Sequence, residues 1–125
     1  MAKIAVDREH GLLTAEFSGL DKLWAIKSRL EVPLAHVRGA THDPGIAREP
    51  KGIRVGGTHI PGVVTAGRFR RDGERLFWNV RNPSKAVVIE LADDEAYDRL
   101  VIEVEDPRAT VALIEGVISR PPGGS

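Results

Sequence analysis

Four histidines, a set of arginines and one acidic cluster are the residues of this sequence able to do chemistry beyond packing. His10, His36, His42 and His59 fall at no ligand spacing of the His-Glu-x-x-His kind, so no metal site is expected. His36 and His42 are an even number apart and would share one strand face, but no third ligand accompanies them. Cysteine is absent, which removes thiol nucleophiles, disulfides and cysteine-based zinc sites. No Gly-x-Ser-x-Gly turn offers a serine nucleophile. Gly56-Gly57-Thr58 is followed by no Gly-Lys-Ser/Thr and is not a phosphate loop. No glycine fingerprint opens a helix after a strand, as a dinucleotide fold requires. Asp93, Asp94 and Glu95 cluster in a polar connection and read as a solvated turn rather than an acid–base pair. The expectation is a protein without catalytic function and without a cofactor.

Arginine offers a more concrete chemistry. Arg68 and Arg70 alternate along one run and point the same way, and Arg75 follows just across a turn. Three guanidinium groups this close repel one another unless carboxylates or a bound anion intervene. Pairing with Glu90, Glu103 or Glu105 on neighbouring strands is the structural alternative, each such pair contributing roughly 0.2–1 kcal/mol. A second, weaker set, Arg54, Thr58 and His59, lies in a glycine-rich stretch and is a candidate loop contact.

The 125 residues carry 18 basic and 18 acidic side chains. A formal charge of zero argues against a dedicated duplex-DNA binder. The balance hides a gradient: 1–60 has 9 basic and 7 acidic residues, 61–90 has 6 and 3, and 91–125 has 3 and 8. A basic middle and an acidic end suit either cross-strand pairing or an anion-facing surface. The chain is 42% hydrophobic and 29% charged, ordinary for a globular domain. No apolar run approaches the roughly 18 residues of a membrane span. Met1 to His10 is too charged for a secretory signal. The chain is therefore expected in the cytoplasm.

The elements that must position these residues are mostly strands. Thirteen glycines and eight prolines break the chain into short runs, the spacing of an all-β domain. Ile4 and Val6 alternate with Lys3, Ala5 and Asp7. A turn through Glu9-His10-Gly11 follows, and Leu13, Ala15 and Phe17 return on one face. Leu20, Leu23 and Trp24 stand at helical spacing and predict a short plug for the sheet. Arg29 and Glu31 alternate with Leu30 and Val32 up to Pro33. His36 to Thr41 is a weaker strand anchored by Val37. From His42 to Gly62 no period is legible, and a long irregular loop, 43–62, is expected to carry function. Ile60-Pro61-Gly62 reads as a type II turn.

Thr65, Gly67 and Phe69 alternate with Ala66, Arg68 and Arg70. Asp72-Gly73 predicts a two-residue type I′ hairpin. Leu76, Trp78 and Val80 then face inward, and Arg75, Phe77 and Asn79 outward. Asn82-Pro83-Ser84 turns the chain into Val87, Ile89 and Leu91, completing a three-strand meander. A polar connection at 93–98 leads to Leu100, Ile102 and Val104 on a last strand, which leaves Val101 outward. Asp106 caps a helix with Pro107 at its first position. Val111, Ile114, Val117 and Ile118 stripe one side of it. A twelve-residue helix is marginal alone, so it must bury that stripe on the sheet. Residues 119–125 cannot build a core.

This order resembles the pleckstrin-homology (PH)-like barrel, in particular the small stand-alone bacterial PH-domain proteins of actinobacteria, which are largely uncharacterised. The resemblance is carried by Phe17-Ser18-Gly19-Leu20, Leu23-Trp24-Ala25, Leu30-Glu31-Val32-Pro33-Leu34 and Gly57-Thr58-His59-Ile60-Pro61-Gly62. Val87-Val88-Ile89-Glu90-Leu91 and Tyr97 through Pro107 complete it. It implies a mainly β fold with one C-terminal α-helix, a barrel of two antiparallel sheets capped by that helix, in one domain over 1–118. Such barrels host lipid, peptide and protein binding alike. In lipid-binding members, basic residues at the first hairpin grip headgroup phosphates. Here that turn is Asp7-Arg8-Glu9-His10-Gly11, where two carboxylates oppose one arginine. The expected function is thus a non-enzymatic interaction module acting by self-association or protein binding, with outward Phe77 and Val101 as contact residues. The alternative is an anionic small ligand or lipid headgroup held by Arg68, Arg70 and Arg75.

Overall fold

The computed structural model describes residues 2–17, 29–46, 53–60, 64–92 and 97–118, with the backbone alone over 53–60 and 64–66. The fold is mainly β, with two sheets and one C-terminal helix. β1 (Ala2–Asp7), β2 (Leu12–Phe17) and β3 (Arg29–Pro33) form an antiparallel sheet in that order. Leu13, Ala15, Phe17 and Val32 are its buried face, as their alternation requires. The turn joining β1 to β2 is closed by Asp7. One of its carboxylate oxygens accepts the His10 N–H (3.1 Å), the other lies 2.7 Å from the His10 ring Nδ1, and Gly11 takes φ 64°.

Pro33 ends β3, and a 3-10 turn at Leu34–His36 leads into β4 (Val37–His42). His36 therefore sits in that turn, not on the strand face with His42. β5 (Ile53–Ile60), β6 (Val64–Arg71), β7 (Glu74–Val80), β8 (Ala86–Leu91) and β9 (Arg99–Glu103) complete a six-stranded sheet of order β4-β8-β9-β7-β6-β5. Hydrogen bonding among the described residues does not close the two sheets into a continuous barrel. Among the described residues, one parallel bridge, Ala2 to Val104, joins them.

Three expectations need correction. First, the stretch 43–62 contains an eight-residue strand, β5, paired antiparallel with β6. Gly56-Gly57 supply no alternation to detect, and a register shift between Arg54 and Gly56 breaks the period of two. Secondly, β7 and β8 are not neighbours. β9 runs between them, parallel to β7 and antiparallel to β8, so the sheet is mixed and the meander stops at β7. Thirdly, Phe77 and Val101 are 0% exposed. The central strands are buried on both faces, the condition in which strands read as continuous apolar runs. The β6–β7 hairpin turns as expected, with Asp72 at φ 52° and Gly73 at φ 82°.

Each face of the large sheet carries its own core. On one, Phe77, Val87, Ile89, Leu100 and Ile102 meet Leu13, Ala15 and Phe17 of the small sheet, and the Phe17 and Phe77 rings lie 5.5 Å apart. On the other, Phe69, Leu76, Trp78, Val80, Val88 and Val101 pack with Ile46. Helix α1 (Pro107–Ile118) joins the first cluster through buried Ile114, with Val111 and Ile118 at its margin. Asp106 caps it, its Oδ1 accepting the Ala109 N–H (3.0 Å). Glu115 accepts the Ala40 N–H (3.1 Å), tying the helix to β4. The plug near Leu20–Trp24, the turn residues Pro61 and Gly62, residues 93–96 and the tail 119–125 lie outside the described residues.

Burial of Phe77 between the sheets gives a direct test against its outward placement. Phe77→Ala is expected to cost about 3–5 kcal/mol in urea unfolding, whereas a surface phenylalanine would leave the midpoint nearly unchanged.

Candidate functional site

β6 presents Arg68 and Arg70 on one face, both exposed. Arg75 of β7 stands directly opposite Arg70, so the hairpin does gather the three arginines. It does not leave them equivalent. Asp98 Oδ2 accepts the Arg75 backbone N–H at 2.7 Å and lies 3.4 Å from the Arg75 Nε, and Oδ1 is 3.5 Å from a terminal guanidinium nitrogen. The Arg75 N–H, acting first, and then its guanidinium hold the Asp98 carboxyl below the usual carboxylate range against an opposing desolvation. Arg75 is thus a structural cation. Its partner is Asp98, in place of the glutamates expected.

Those glutamates have other work. Glu90 and Glu74 flank Arg99 at 3.8 and 3.4 Å. Glu103 is buried, and its Oε1 accepts the backbone N–H groups of Arg81 (2.8 Å) and Asn82 (2.9 Å). Arg38, Asp72, Glu74, Glu90, Asp98 and Arg99 border a cavity of about 370 Å³. Two arginines stand there against four carboxylates, so the rim is net negative and does not favour an anionic ligand.

Arg68 and Arg70 have no ion-pair partner among the described residues. Tyr97 is half-buried beside Phe77, with ring centroids 5.4 Å apart. Burial pushes its hydroxyl pKa up, and the nearby Arg68 charge pulls against that rise. Exposed Arg68 and Arg70 form an anion-compatible but open surface. Arg54, Thr58 and His59 fall on β5 at registers opposite Phe69, Ala66 and Thr65, so they belong to a strand and not to a loop. Their side chains lie outside the described residues.

Elsewhere, His10 is held by Asp7, and His42 Nε2 lies 2.8 Å from the Ser84 carbonyl. Among the described residues no group of three histidines or carboxylates could hold a metal ion, and no described helix is long and apolar enough to cross a membrane.

Sequence reasoning missed a groove. A space of about 500 Å³ opens between the start of β1 and the first turns of α1, lined by Lys3, Ile4, Val104, Glu105, Thr110 and Leu113 among others. Leu113 is 39% exposed, the one large apolar side chain so exposed among the described residues. Its signal was available, because Leu113 lies off the Val111-Ile114-Ile118 stripe that seats the helix. No protein-family model matches the chain, and neither a curated protein nor a solved structure does.

The Asp98 arrangement sets a pH signature. A carboxyl whose pKa is lower folded than unfolded contributes stability that is complete above the ordinary carboxylate range and is lost as pH falls through the lowered value. Asp98→Asn should therefore be less stable than the parent by about 1–3 kcal/mol at neutral pH. The gap should narrow below about pH 4, as read by chemical unfolding across pH.

Proposed function

We propose that this chain is a non-enzymatic, PH-like interaction module that works by contact with another protein surface, self-association foremost. The two-sheet layout with a terminal helix is what it shares with PH-like domains. The parallel β7–β9 pair is where it departs from their meander. Outward Phe77 and Val101 no longer support the reading, since both are buried. The groove between β1 and α1 takes their place, and exposed Leu113 on its wall is the single observation that carries it. A shallow space with an exposed leucine on one wall and a charged lip, beside an open strand, suits a polypeptide better than a small substrate, which wants an enclosed pocket.

Multi-angle light scattering on a size-exclusion column, run over a range of loading concentrations, is expected to show association that Leu113→Glu removes without loss of fold. A parent chain that stays monomeric at millimolar loading would refute self-association.

Exposed Arg68 and Arg70 support a second reading, capture of an anionic headgroup or small anion. Flotation with anionic vesicles should then show binding that weakens as salt rises and disappears in Arg68→Glu/Arg70→Glu. Arg75→Glu belongs to the stability experiment above, because Arg75 is engaged with Asp98.

A further inference from the structure

β1 is the outer strand of its sheet. Beyond Ala2, which meets Val104, no described strand pairs with its open side. Its side chains alternate: Lys3 and Ala5 are exposed, and Ile4 and Val6 turn inward but are only partly buried at the margin of the core. The Thr14 hydroxyl on β2 reaches the Ala5 carbonyl oxygen at 3.4 Å. That oxygen therefore faces β2, and the backbone groups facing outward along the open side are those of Ile4 and Val6.

About Ala5 the strand is self-complementary. Lys3 stands two residues to one side and Asp7 two residues to the other, opposite in charge and on the same face. Ile4 and Val6 flank the centre on the other face. Lys3 lies opposite Glu16 of β2, but that carboxylate is taken by Arg29 at 3.0 Å, and Lys3 has no ion-pair partner among the described residues.

We propose that two copies of this chain join through β1, antiparallel and centred on Ala5, so that Lys3 of each copy lies opposite Asp7 of the other. The proposal rests on the self-association reading above and deepens it by naming partner and register. Ile4 of each copy exchanges backbone hydrogen bonds with Val6 of the other, and the half-buried apolar flank of each core is covered. The two small sheets become one six-stranded sheet. Where Val104 takes the edge at Ala2, Arg8 of the second copy passes toward exposed Glu105 and Asp106 at the lip of the groove. Directly opposite charges attract across strands and like charges repel. The edge is short and the contact small, so the dimer is weak and concentration-dependent.

Edge protection is the competing role for Lys3, since a charge on an open strand deters pairing. The two roles predict opposite results in a charge swap. Lys3→Glu places glutamate against aspartate twice over, and Asp7→Lys places lysine against lysine. Each variant alone is expected to associate about tenfold more weakly than the parent, or worse. An equimolar mixture of the two restores both attractive pairs and should dimerise, as read by sedimentation equilibrium, with circular dichroism reporting the fold of each variant.

A second measurement does not depend on the Asp7 turn. The chain contains no cysteine, and Ala5 sits on the proposed two-fold axis at a non-hydrogen-bonded position, where facing Cβ atoms come within about 4.5–5.5 Å. Ala5→Cys should form an interchain disulfide on mild oxidation, and Ala112→Cys, exposed on the helix, should not. A parent that associates while its charge variants and Ala5→Cys behave like controls overturns this register and leaves the module standing. A parent that is monomeric throughout removes both.

Discussion

β9 lies between β7 and β8 with a carboxylate at each end of it, and the rest of the fold depends on that insertion. At its start, Asp98 accepts the Arg75 N–H through its side chain, donates its own N–H to the Arg75 carbonyl (2.8 Å) and offers its carbonyl to Leu91 (2.9 Å). At its finish, Glu103 takes the Arg81 and Asn82 N–H groups, and Val104 donates to Lys85 (3.2 Å). A shielded carboxylate without such donors would cost several kcal/mol. The two clamps hold β7 at both ends while β9 fills the space that a tight hairpin would have closed. Once β9 is in place, β7, β8 and β9 are interior strands, and each face of the large sheet can support a separate core.

That arrangement explains which parts of the architecture were legible from residues alone. Where one side of a strand is wet, the period of two shows. Leu13, Ala15 and Phe17 were placed correctly, and Asp72-Gly73 announced its hairpin through the need for two positive φ values. Asp106-Pro107 marked the start of α1 for equally local reasons. In Leu76-Phe77-Trp78-Asn79-Val80, both sides are dry. Choosing one face as inward there forces the other outward, and Phe77 was misplaced by that logic. The run itself was the signal, since Leu76-Phe77-Trp78, apolar at three successive positions, must put large apolar side chains on both faces. The order of β7, β8 and β9 was harder. Asn82-Pro83-Ser84 does turn the chain, but a turn does not say whether the next strand lies one spacing away or, with another strand between, about 9.6 Å away.

The candidate site was legible in kind and misread in detail. Alternation brought Arg68 and Arg70 to one face, and the hairpin brought Arg75 beside them. Pairing with an acid depends on the parallel β7–β9 contact, which is non-local, so Asp98 could not be singled out from the seven acidic residues between 93 and 106. β5 was hidden because glycine carries no side chain to reveal a face. Lys3 and Asp7 were visible as a charged alternation, but their significance depends on which side of β1 remains open.

Sheet edges decide where such a protein can meet another, because an unpaired edge offers a ready row of donors and acceptors. The described edges are not equally open. β4 is covered by α1, whose Glu115 occupies the Ala40 N–H. β3 ends in Pro33 and carries Arg29, which is committed to Glu16 and Glu31 at 3.0 and 3.1 Å, so its outward charges are already matched. β1 ends in no proline, and beyond Ala2 no described element pairs with its open side. Its one lysine makes no ion pair among the described residues, although Glu16, bound to Arg29, lies opposite it in register; Asp7 is held by the His10 N–H and ring, and its inward residues are left half-covered at the core margin. An edge with satisfied charges gains little from a partner. One with a lysine outside any described ion pair and with incomplete apolar cover gains on both counts at once.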